Sequence, residues 1–191
     1  MPKFRDHSLI PTEAVRLTAL GILANGERPY GDLAVEVRHF VSRMLGPTLD
    51  VLGTSIELLR HEGLIEPIDV RAGPSHSLRA DTRVRLTEAG KAALHELLTS
   101  RVRAPMTDLT RMVVALKLRF LHLLSPDDQR AQFEGLIELA TAEITRLTDL
   151  RRHDAGPGAA LGDWLDHELA QTEERRRWYQ QRLDALQETK P

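Results

Sequence analysis

The densest run of chemistry-bearing side chains is residues 71–85, RAGPSHSLRADTRVR. Arg71, Arg79, Arg83 and Arg85 stand there against a single acid, Asp81, with His76 between them. Guanidinium groups are permanently charged forks of donors that match phosphate oxygens. A cluster of them on a short hairpin suits contact with a nucleic-acid backbone. Arg83 and Arg85 alternate with Val84 and Leu86, so a strand would hold both arginines on one face and the apolar residues on the other. The same pattern also describes a hairpin whose outer face is merely solvated, and the flanking elements must decide between the two.

Other chemistries find little support. The eight histidines are scattered without an i, i+4 pair and a nearby third ligand, so no metal site is expected. His61-Glu62 and His167-Glu168 are sequence neighbours, which a helix points to different faces. There is no Ser-His-acid set, glycine-rich phosphate loop or paired carboxylate, so neither an enzyme nor a bound cofactor is expected. The 191 residues contain no cysteine, which excludes disulfides and thiolate metal sites and fits a cytoplasmic protein. No apolar run approaches the ~18 residues of a membrane span, and the opening MPKFRDHSLIPTE lacks the core of a secretory signal. At 41% hydrophobic and 28% charged residues the chain is too apolar for disorder. The net charge of −2 means that any affinity for nucleic acid must come from a local patch.

The elements that would position the patch are mostly helical. Residues 12–25 read as a first helix, with Val15, Leu17, Leu20, Ile22 and Leu23 on a broad apolar face. The stretch Gly26–Gly31 is a turn. Asp32 opens a second helix to about 44, with Leu33, Val37, Phe40, Val41 and Met44 inward. A third helix covers about 49–62 on the stripe Leu49, Leu52, Ile56 and Leu59, and Gly63 ends it as a C-cap. Extended segments at 65–70 and 82–86 pair as a hairpin, and Thr87 starts a fourth helix to Leu98. Three helices, a two-stranded wing and a fourth helix are the order of a winged helix-turn-helix. With those helices in place, the outward arginines favour the phosphate reading.

The motifs then meet a family. "LRHEGLIEPI" followed by "RVRLTEAGKAALHELL" resembles the PadR family of bacterial transcriptional regulators. Leu59, Gly63, Leu64 and Ile65 match the end of its recognition helix. Leu86, Thr87, Gly90 and Leu94 match the Leu-Thr-x-x-Gly entry to its fourth helix. "LTALGILANGERPYGDLAVEV" and "LKLRFLHLLSPDDQ" are similar to its opening helices and C-terminal region, so the resemblance covers about residues 12–187. It implies a dimeric regulator, usually a repressor, on a palindromic operator of double-stranded DNA, in some members released by a small aromatic ligand. The chain departs from the pattern in its third helix. Gly53 stands where the family usually has Tyr, and Glu57 and Leu58 where Lys or Arg is common. With Asp50 and Glu57 on the outer face and Arg60 its only full positive charge, guanidinium readout of bases from this helix is not expected. Backbone anchoring would fall to Arg71, Arg79, Arg83 and Arg85 of the wing and to Arg38 and Arg43 of the second helix. Thr48, Thr54 and Ser55 remain as neutral hydrogen-bonders.

Arg101–Pro105 is the best boundary, dividing a winged-helix domain at 1–103 from a helical domain at 104–191 expected to dimerise and respond to an effector. The second domain reads as helices at about 107–124, 125–152 and 160–187. In the first of these Leu109, Val113, Leu116, Phe120 and Leu123 point inward. Phe133, Ile137, Ala140, Ile144 and Leu147 form one coiled-coil seam; Leu165, Leu169, Thr172, Arg176, Tyr179, Leu183 and Leu186 form another. The last seam is the expected homodimer interface. Trp164 and Trp178 either line an aromatic effector pocket or pack in that interface. A reading from a different class is a winged-helix dimer that docks proteins and has little DNA affinity.

Overall fold

The computed structural model describes residues 11–45, 52–68, 78–102, 104–154 and 159–188. They form two compact units, one ending at Leu124 and the other comprising Ala104–Met106 with the residues from Ser125 onward.

Helix α1 (Pro11–Ala24) is the axis of the first unit. Ala14, Leu17, Ala19 and Leu20 are fully buried, with Ile22 and Leu23 nearly so. It packs on helices α2 (Tyr30–Leu45), α3 (Leu52–His61), α4 (Glu88–Thr99) and α5 (Asp108–Arg119). A helix with neighbours on several sides is apolar over most of its surface, and its buried Thr18 satisfies its hydroxyl by donating to the Ala14 carbonyl at 2.7 Å. Leu33, Val37 and Val41 of α2 and Ile56 and Leu59 of α3 meet it in the core, as their spacing predicts. Met44 does not. It is 40% exposed in the last turn of α2, where the helix runs beyond the core. Leu49 and Leu52 lie outside the described side chains.

The sheet has three antiparallel strands in the order β1-β3-β2: β1 (Arg28–Pro29), β2 (Ile65–Pro67) and β3 (Arg83–Leu86). Val84 pairs with Arg28 on one side and Pro67 on the other. The sequence shows the hairpin partner but reads 26–31 only as a turn. A two-residue strand carries no alternation to detect, and Pro29 is tolerated because it lies on an edge.

Two motifs meet behind the wing. Gly63, at φ +71°, closes α3, with its own N–H donating to Arg60 and that of Leu64 to Leu59. Those are the two bonds of a Schellman motif, and only glycine enters that conformation without strain. Thr87 then caps α4 by accepting from the Gly90 N–H at 3.0 Å, while its hydroxyl donates to the Gly63 carbonyl at 2.7 Å. A Cβ on Gly90 would lie 2.0 Å from the Leu64 carbonyl oxygen. The Leu-Thr-x-x-Gly sequence is thus the half of a joint whose other half is the turn after α3.

The first unit continues past the boundary that Arg101–Pro105 suggests, taking in Thr107–Leu124. Helix α5 presents Met112, Val113 and Leu116, and its C-cap Phe120, to the core that α1 and α2 share, so its apolar face completes the winged-helix core. Leu109, expected inward, is 39% exposed in the first turn of α5. Lys117 on the same helix is 2% exposed and donates to the carbonyls of Leu98 and Ser100, both at 2.5 Å, and of Leu97 at 3.3 Å. These are carbonyls at the end of α4, left without helical donors, where a cation also meets the negative end of the helix dipole.

The second unit is a hairpin of α6 (Pro126–Asp154) and α7 (Ala159–Glu188). Ser125 caps α6 by accepting from the Asp128 N–H at 3.1 Å, and its hydroxyl donates to the Asp128 carboxylate at 2.7 Å. Arg151 and Asp166 form a two-bond ion pair at 2.9 and 3.1 Å. Phe133 meets Trp178 edge-on at 6.4 Å. Those pairings make the helices antiparallel.

Candidate nucleic-acid interface

Helices α2 and α3 pack on each other and on α1, the arrangement of a helix-turn-helix, with β2 and β3 as wing. On β3, Arg83 and Arg85 point outward and Val84 is buried in the core. Arg79, just before the strand, has a side chain 82% exposed. Each arginine has a carboxylate. Arg79 pairs with Asp81 at 3.1 Å, Arg83 with Glu27 and Arg85 with Glu66, both at 2.8 Å. The Arg79 hydrogen bond holds the Asp81 carboxyl below its ordinary value. The patch is therefore less one-signed than residues 71–85 suggest, because folding brings in Glu27 from the turn before β1 and Glu66 from the opposite strand. Glu66 sits directly across from Arg85 in the register, which is the geometry of a favourable cross-strand pair. Exposed ion pairs of this kind contribute only about 0–1 kcal/mol, so a phosphate can exchange for the carboxylate at little cost.

Arg38 and Arg43 are exposed on α2. Thr54 and Ser55 lie in α3 with side chains outside the described residues, and Thr48, Asp50, Arg71 and His76 lie outside them altogether. Gly53 falls within α3.

Glu57 does not have the role its helical position suggests. Its carboxylate accepts from the Leu78 N–H at 3.2 Å and pairs with Arg60 at 3.3 Å. Burial, and then the charge and hydrogen bond of Glu57, raise the Tyr30 phenol above its ordinary value, against the lowering effect of Arg60. At the same junction the Tyr30 and Gly31 N–H groups donate to Thr82 and Ala80 at 2.8 and 2.9 Å. Glu57 thus ties the start of α2, the middle of α3 and the base of the wing into one block. It is a structural carboxylate, not a charge presented outward. A second missed tie is Glu36 on α2, which accepts from Arg28 at 2.5 Å and Arg119 at 2.6 Å. The Arg119 guanidinium also lies 5.1 Å from the Phe40 ring and 5.2 Å from the Phe120 ring. Glu57 and Arg60 are three residues apart, but Leu78 and Tyr30, and Arg119 for Glu36, come from distant parts of the chain, so nothing local in the sequence marks either set as a junction.

In the second unit the seam expected to join two copies is covered by the chain itself. Leu165, Thr172, Tyr179 and Leu183 are at most 6% exposed, facing α6, whose Phe133, Leu136, Ala140 and Leu147 are buried in return. Leu169, Arg176 and Leu186 are half-buried on the same helix. The seam is real, but its partner is α6. Nor do the tryptophans share a site. Fourteen helical residues separate them by about 21 Å. Trp178 stacks edge-on against Phe133 and Tyr179 with Arg182 at 5.3 Å, whereas Trp164 is 52% exposed. A surface depression of about 410 Å³ between Ala104-Pro105 and the α6 residues Leu139, Ala142, Glu143 and Arg146 includes neither. Among the described residues no cluster could hold a metal ion, and no helix is long and apolar enough to cross a membrane.

A helix-turn-helix followed by a wing and a fourth helix places the first unit in the winged-helix class. The chain belongs to the AphA-like transcriptional regulators, whose family model matches residues 4–183. No curated protein matches the sequence. Solved structures that match include Bacillus subtilis PadR in complex with p-coumaric acid, at 18% identity, covering 91% of this chain and 99% of that one with a TM-score of 0.38. The same protein in complex with operator DNA matches at 19%, covering 90% and 98% with a TM-score of 0.35. A PadR-like regulator of Bacillus cereus matches at 16%, covering 92% and 99% with a TM-score of 0.38.

Proposed function

We propose that this regulator binds double-stranded DNA with α3 in the major groove and the wing alongside, and that it represses transcription as a homodimer on a palindromic operator. The observation that carries the reading is the outward row of Arg79, Arg83 and Arg85 at the base and strand of the wing, each held only by an exposed carboxylate. Arg38 and Arg43 on α2 add backbone contacts. Because the α7 seam is occupied by α6, dimerisation would use the outer face of the hairpin, where Leu161 and Trp164 are exposed. A small aromatic effector would meet the exposed edge of Trp178, which is 39% exposed beside the buried Phe133 and Tyr179.

The test is a binding titration of the full chain against its own promoter region and a scrambled duplex across salt concentrations. Affinity should fall steeply with salt. Arg79→Ala, Arg83→Ala and Arg85→Ala should each weaken both duplexes about equally and reduce the salt slope by about one. A protein-docking module would instead show weak, sequence-indifferent binding that the three variants leave unchanged.

A further inference from the structure

The third helix of a helix-turn-helix must distinguish bases, yet in this chain its charged groups are engaged elsewhere. Glu57 accepts from the Leu78 N–H and forms an ion pair with Arg60. Arg60 has a side chain only 13% exposed, turned in beside that carboxylate. Glu62, just past the helix, pairs with Arg16 of α1. Among the described side chains of α3 that leaves Leu58, 49% exposed, and the exposed His61 one turn later. Both lie opposite Ile56 and Leu59, which are buried at 0% and 1%.

A lone exposed leucine is ordinary on a protein surface. This one sits on the one helix face that a winged helix turns toward the major groove, at a position flanked by the buried Leu59 and the inward-bonded Glu57. The major groove offers an apolar group at thymine alone, whose 5-methyl distinguishes it from every other base. We infer that Leu58 is a specificity-determining residue that reads the 5-methyl group of thymine in the operator, in place of guanidinium readout of guanine. The inference rests on the DNA-binding reading above.

The experiment uses the full-length protein and a duplex enriched from a random pool by that protein. Each thymine of the enriched site is then replaced singly by deoxyuridine, which removes only the methyl group. At the contacted thymine the wild-type protein should lose about fourfold in affinity, the value of one methyl taken from water. Leu58→Ala should bind the thymine and deoxyuridine duplexes alike, and Leu58→Met should retain the difference. Alanine is a good helix former at a half-exposed position, and the Met variant keeps the test open if Ala perturbs the fold. The inference is overturned if no single replacement weakens the wild type, or if the loss is as large in Leu58→Ala. Failure to enrich any duplex would instead bring down the DNA-binding reading itself, before a thymine is replaced, and the inference with it.

Discussion

Lys117 gives the first unit a stability that should depend on pH above neutrality. Its side chain is 2% exposed, and burial pushes the ammonium from the ordinary 10.5 down to about 7. The unfolded chain keeps its proton up to about 10.5. Between about 7 and 10.5 the unfolded state therefore binds one more proton than the folded state, and stability rises with pH. The slope is about 1.4 kcal/mol per pH unit. Below about 7 both states are protonated, and the full cost of burying the charge is present. Three carbonyls at the end of α4, those of Leu97, Leu98 and Ser100, work the other way by accepting from the charged form. Lys117→Met removes the titration and leaves those carbonyls without their donor. The assay is urea denaturation followed by circular dichroism, wild type against Lys117→Met, at several pH values from 6 to 9.5. From pH 7.5 to 8.5 the wild type should gain about 1 kcal/mol on the variant, which moves its midpoint by roughly 0.3–1 M urea. A gap between the two proteins that stays constant over this range would refute the reasoning. It would mean that the carbonyls hold the ammonium charged despite its burial.

Glu57→Gln should lower the Tyr30 phenol toward its ordinary value in an absorbance titration at 295 nm, while Tyr179, raised by burial in the second unit, stays where it is; an unmoved Tyr30 would break the proposed block. Glu57→Ala leaves the Leu78 N–H without its acceptor and should cost about 1–3 kcal/mol. Leu165→Asp and Leu183→Asp together place carboxylates between α6 and α7. They should remove helical signal and thermal stability at a cost above about 3 kcal/mol. A double variant with full helix content and half the sedimenting mass would show that the seam faces a second copy after all.

Local signals in this sequence are sufficient for the order of the α-helices. Gly63, Thr87 and Ser125 mark helix ends through bonds that span at most five residues, and those bonds are present. The apolar stripes of α1, α2 and α3 identify core faces because burial along a helix repeats every three or four residues. Periodicity reports that a face is covered, but not by what. The α7 stripe reads the same whether it meets another copy or α6, and only the tertiary structure, by folding the hairpin back, decided for α6. The same limit hid the place of α5 in the winged-helix core and the two-residue strand β1, whose existence depends on Val84 lying beside it. Charge is the least legible of all. Glu57 looks like an outward acid until Leu78 and Tyr30 arrive from distant parts of the chain, and the wing patch looks unopposed until Glu27 and Glu66 stand beside its arginines. A side chain's electrostatic role is set by neighbours within a few ångströms, and those neighbours are chosen by the fold, not by the sequence around it.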